Sequence, residues 1–207
     1  FQFSHHILHA DGRVEHAGEY LHPGRDFPNF AFARALKSSL ERHSGSIFRY
    51  SHHENTVVNK IVEQLEESSE HDKAELIPFL RSISHTKEHT GERDMLDLCE
   101  WVKAYYWHPR MGKSNSIKAV LPAVLLDAPA LLREKFPDWV RPDENGLPRD
   151  PYELLPPLFE DLPPANQAEL MVKDTLADGA AAMTAYARLQ FEEMPLAQDQ
   201  AIRYALL

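Results

Sequence analysis

The chain reads as an α/β protein, a mixed sheet flanked by helices, and three observations lead there. Asp11-Gly12 sits between two extended runs, Phe3 to Leu8 and Val14 to Tyr20, which is a strong short-range hairpin signal. A β-branched and aromatic run, Ser46 to Tyr50, reads as a buried strand and leads through Ser51-His52-His53-Glu54-Asn55 into a new pattern. There Val57, Val58, Ile61, Val62 and Leu65 fall at helical spacing. At 207 residues, with 43% apolar and 26% charged, the chain suits one soluble globular domain, residues 1–207.

The elements follow in order. His22-Pro23-Gly24 breaks the second strand, and Pro28-Asn29 opens a helix whose apolar face is Phe30, Phe32, Ala33, Leu36 and Leu40. The Ser46–Tyr50 strand and its helix come next, so the hairpin is expected beside that strand in one sheet. Glu66 to Lys73 is a polar, mostly acidic connection expected to be solvated. Ala74 to Ile83 is helical if Pro78 is accommodated, and Ser84 to Arg93 reads as a mobile loop. Trp101, Val102, Tyr105 and Tyr106 continue as a helical face, and Ser114-Asn115-Ser116 precedes a helix from Ile117 to Leu126. Between Asp127 and Pro164 prolines recur, with Trp139, Tyr152 and Phe159 among them, as in a surface insertion pinned by aromatics. Ala180 to Phe191 and Leu196 to Leu207 read as closing helices. The first residues lie inside a strand-like alternation without Met, and the last inside a helical pattern without a stop, as expected of a piece cut from a longer chain.

Composition narrows the function classes. No apolar run approaches the roughly 20 residues that cross a bilayer. There is no basic-then-apolar leader, and the single Cys99 forms no internal disulfide; a cytoplasmic protein without a membrane partner is expected. The net charge of −10 argues against a broad nucleic-acid surface. It leaves room for a metal-dependent nuclease, whose cations supply positive charge locally.

The polar cluster at a strand end and helix start is where ligands bind in open α/β sheets. Two readings of Glu54 stand side by side. Ser51-x-x-Glu54 is a capping box, in which the Ser51 hydroxyl and the Glu54 carboxylate each accept the other's backbone N–H. Alternatively Glu54 binds a divalent cation, for which further carboxylates must converge on it. Asp97 is the natural second acid. In Met95-Leu96-Asp97-Leu98 it needs a partner, whether a cation, an Arg or the N–H groups opening the next helix. The histidine pairs His5-His6 and His52-His53 lack the spacing of a structural zinc site. Lys113, Ser114, Ser116 and Lys118 suit either a phosphate at a helix start or ordinary capping.

Several stretches together resemble the bacterial DUF2779 family: Phe1 to Ile7, Tyr50 to Thr56, His108-Pro109 followed by Gly112 and Ser116 to Pro122, and Asp178 to Met183. That family is similar to RNase H-like, DEDD-type 3′–5′ exonucleases, in which four acids bind two divalent cations that activate water for attack on a phosphodiester. The resemblance implies Mg²⁺ or Mn²⁺ as cofactor and nucleic acid as partner. It places Glu54 at the second acidic motif and Asp97 where many relatives keep a further acid, both as metal ligands and catalytic residues. His53, Asn55 and Lys118 are then candidates for contacting the phosphate. The first acidic motif is expected just before Phe1 and the last just after Leu207. The 207 residues alone are therefore expected to bind metal weakly and not to catalyse efficiently. The alternative is a non-catalytic module of the same fold that binds nucleic acid or protein, with Asp127 to Pro164 as its contact surface.

Overall fold

The Asp11-Gly12 turn closes the hairpin that the sequence predicts. In a computed structural model, which describes residues 2–127, 129–138, 140–154, 186–191, 193, 195, 196, 199, 200, 202 and 203, Gly12 takes φ of +83°. Its N–H donates to the His9 carbonyl, and strands β1 (Gln2–Leu8) and β2 (Val14–Leu21) pair antiparallel with a bulge between His5 and His6. The described residues form a mixed α/β structure of helices and small sheets. They fall into two units, one of residues 1–47, 55–94 and 158–207, the other of residues 48–54 and 95–157.

In the first unit Phe3 stacks on Tyr20 across the hairpin, ring centres 5.9 Å apart, and meets Phe32 of helix α1 (Asn29–Leu40) edge-on at 5.8 Å. Helix α2 (His53–Glu67), whose first two residues belong to the second unit, buries Val58, Ile61, Val62 and Leu65 of the stripe read from the sequence and leaves Val57 half-buried. Asn29 donates to the Gln64 amide oxygen at 2.6 Å. Helix α3 (Lys73–Ser82) carries Pro78 inside it and forgoes one ladder hydrogen bond there.

The acidic connection between α2 and α3 does more than meet solvent. Arg34 forks onto Asp72 at 2.6 and 2.8 Å and also binds Glu70, a bidentate charge-assisted contact that fastens this connection to α1. The Arg34 guanidinium, mainly by hydrogen bonding, holds the Asp72 carboxyl down to about 2.

Residues 84–94 are held by main-chain hydrogen bonds. Gly91 N–H donates to the Ser84 carbonyl and Arg93 N–H to that of Ser82, which folds the segment back onto the end of α3. A Cβ at Gly91 would lie 2.3 Å from the Ser82 oxygen and 2.4 Å from that of Arg81, so only glycine fits.

In the second unit β3 (Phe48–Arg49) pairs in parallel with β4 (Leu96–Asp97). Among the described residues this pair and the hairpin are separate sheets, not the single mixed sheet expected. The ladder is short for local reasons: Ser51 turns away at φ of +75°, and Leu98 begins a helix directly after β4. Nor is the Ser46–Tyr50 run a buried apolar strand, since Arg49 faces inward and Phe48 outward.

Helix α4 (Leu98–Tyr105) buries Cys99, and Val102 and Tyr106 pack on Met111, Val120 and Ala123. Trp101 and Tyr105, expected on the same apolar face, point to solvent. A 3-10 turn over Pro109–Met111 leads to helices α5 (Ile117–Asp127) and α6 (Pro129–Lys135). The proline-rich stretch is thus helical at its start and later turns back through Gly146, where Pro142 and Pro148 form an isolated bridge, so it is not uniformly extended. Trp139, Phe159, the side chain of Tyr152, residues 178–185 and most of 196–207 lie outside the described residues. Among the described residues no helix is long and apolar enough to cross a membrane.

Candidate functional site

The carboxyl ends of β3 and β4 both run into helices, and they bring Arg49, Ser51 and Asp97 together. Asp97 is the N-cap of α4, where its Oδ1 accepts from the Cys99 N–H at 2.9 Å. The same oxygen accepts from the Ser51 N–H at 2.8 Å, and Oδ2 accepts from Arg49 Nη1 at 2.7 Å. Arg49 also donates to the Ser51 carbonyl. Both peptide groups of Ser51 are thereby held, which offsets a left-handed conformation costing a non-glycine residue about 1–3 kcal/mol. Burial pushes the Asp97 carboxyl up, but the Ser51 and Cys99 N–H donors and the Arg49 guanidinium outweigh it and leave it below the usual carboxylate range.

The capping box is not formed in this arrangement. The Ser51 N–H that it assigns to Glu54 is taken by Asp97, and the Ser51 hydroxyl lies 3.2 Å from His52 Nδ1. Glu54 stands exposed in the first turn of α2, and no side-chain partner for it occurs among the described residues. A carboxylate in that position is favourable to the helix through its dipole.

The other candidates separate. His53 is exposed at the first position of α2, and Lys118 is exposed in the first turn of α5. Asn55 is engaged elsewhere: its Nδ2 donates to the His85 carbonyl at 3.0 Å, and its Oδ1 accepts the His85 N–H at 2.9 Å. Asn59 adds a second donor to that carbonyl, also at 3.0 Å.

As a ligand for Mg²⁺ or Mn²⁺, the Glu54 carboxylate is exposed and available, whereas that of Asp97 is not. Three lone-pair directions of the Asp97 carboxylate are filled by N–H donors, and one donor is a guanidinium that repels a cation. Among the described residues, clustering of possible ligands occurs instead at Glu70-His71-Asp72, where Arg34 already occupies both carboxylates.

Sequence reasoning missed Arg49. The available signal was a lone cation inside the apolar run Ile47-Phe48-Arg49-Tyr50 and a lone acid inside Met95-Leu96-Asp97-Leu98. Each needs a partner when buried, and the other is the economical one.

The profile of a family described as a domain of unknown function, DUF2779, matches residues 1–116, more than half of the chain. The chain belongs to the DUF2779 family. The matched span holds β1 to β4 and α1 to α4, and with them Arg49, Ser51, Glu54 and Asp97, so the clamped loop lies within the family domain. No curated protein and no solved structure matches the chain.

Proposed function

We propose that this DUF2779 chain is part of a metal-dependent, 3′–5′ exonuclease-like domain of RNase H-like type. In this reading Glu54 is the carboxylate offered to Mg²⁺ or Mn²⁺, and Asp97 is a positioning residue. One observation carries it. Glu54 stands exposed, without a side-chain partner among the described residues, where a parallel strand passes into a helix, and the loop before it is clamped by Asp97 and Arg49. The sequence resemblance supplies the reaction class, and His53 and Lys118 remain the candidates for contacting phosphate. A single available carboxylate is too small a donor set for a divalent cage, so no hydrolytic step follows from these residues alone.

A Mn²⁺ titration of this chain and of Glu54→Ala, followed by NMR line broadening, tests the reading. Broadening centred on residues 52–56 and weakened in the variant is the expected result. Equal broadening in both would remove Glu54 from any metal site. A second reading, a non-catalytic module of the same fold, is favoured by the Arg49–Asp97 pair, which closes one of the two expected acids, and equal titrations would favour it.

A further inference from the structure

We propose that α4 and the turn after it form a platform for single-stranded nucleic acid, with Trp101, Tyr105 and Trp107 stacking on bases and Arg110 and Lys113 holding the backbone. The choice of a single strand rests on the phosphodiester reading above; the surface itself does not.

All three aromatics are exposed, and two of them share a face of α4. Trp101 and Tyr105 are four residues apart on α4, one above the other, and are 51% and 88% exposed. The chain is extended at Tyr106, which packs inward, so Trp107 points outward, at 72% exposure. Phe48 lies edge-on to Trp101 at 6.1 Å and extends the apolar strip onto β3. Large apolar side chains grouped in this way on a surface mark a contact site rather than scatter.

Charge identifies the partner. From Trp101 to Lys118 the sequence carries Lys103, Arg110, Lys113 and Lys118 and no Asp or Glu, within a chain of net charge −10. Lys103 is tied to Glu100 at 2.6 Å, whereas Arg110 and Lys113 are exposed with no ion-pair partner among the described residues. Aromatic faces beside unpaired cations suit bases and phosphates on one strand. A duplex keeps its bases stacked inside and offers the rings nothing.

The test uses the whole chain in EDTA, with a labelled oligo(dT) and an oligo(U), reading fluorescence anisotropy and tryptophan emission. Saturable binding that quenches tryptophan is expected. Trp101→Ala, Tyr105→Ala and Trp107→Ala should each weaken it about fivefold or more. Arg110→Gln and Lys113→Gln should each flatten the slope of log affinity against log salt by about 0.7. Circular dichroism confirms that each variant is folded, and a folded double variant, Trp101→Ala with Trp107→Ala, is read if one single variant is not. Absence of binding at about 20 mM salt, binding indifferent to the aromatic changes, or tighter binding to the matching duplex would each overturn the proposal. Because EDTA removes divalent cations, a Glu54 that binds no metal leaves this result untouched.

Discussion

Asp97 and Ser51 lie 46 positions apart in sequence, and the Ser51 backbone N–H reaches the Asp97 carboxylate at 2.8 Å. The bond ties the end of one parallel strand to the loop that leaves its neighbour, and it shares that carboxylate with Arg49 and the Cys99 N–H.

Asp97→Ala removes a helix cap and leaves the Arg49 guanidinium buried without its counter-charge. A loss of about 3–5 kcal/mol is expected in urea unfolding. Asp97→Asn keeps an acceptor for the two backbone N–H groups and should cost less. Equal losses would mean that the charge pair, not the N–H bonds, carries the effect.

Acid should weaken the fold through the same group. Asp97 and Asp72 are both held below the ordinary carboxylate range, Asp72 at about 2, so in acid the folded chain binds fewer protons than the unfolded one. Their contribution is complete above the unfolded value of about 3.9 and is lost as pH falls through the folded values. Thermal unfolding between about pH 6 and pH 2 should show this decline, and Asp72→Asn should make it shallower.

Glu54→Ala should cost less than about 1 kcal/mol, because only the helix-dipole contribution is lost from an exposed, unpartnered position. A larger loss on denaturation would reveal a structural partner and count against a functional role.

Gly91→Ala should destabilise by several times that amount, since the added methyl meets backbone carbonyls at 2.3 and 2.4 Å, not side-chain ends that can swing away. The melting temperature is the readout, and Gly45→Ala, whose Cβ meets nothing within 4 Å, is the control.

Helix positions and the hairpin were legible because periodicity and an Asp-Gly turn are local properties of the chain. The α2 stripe and the Gly12 turn needed no knowledge of what lies across the fold. Pairings between distant residues were not legible in the same way. The sequence marks Asp97 as needing a partner, but nothing in its own segment says that Arg49 and Ser51, nearly fifty residues away, supply two of the three bonds. The α4 face is illegible for a related reason. Four aromatic and aliphatic side chains at helical spacing look like one core stripe, yet among the described residues Val102 and Tyr106 pack on the buried cluster while Trp101 and Tyr105 stay exposed. Asn55, a candidate phosphate contact by sequence, is spent on the main-chain N–H and C=O of His85, thirty residues on, which no local pattern marks.

The Asn55 carboxamide reads both halves of the His85 main chain, as a neighbouring strand would, and does not touch the imidazole. Recognition of this kind is blind to side-chain identity. Position 85 is free to change wherever its hydrogen bond with Asp94 is dispensable, whereas position 55 tolerates no residue without a paired donor and acceptor.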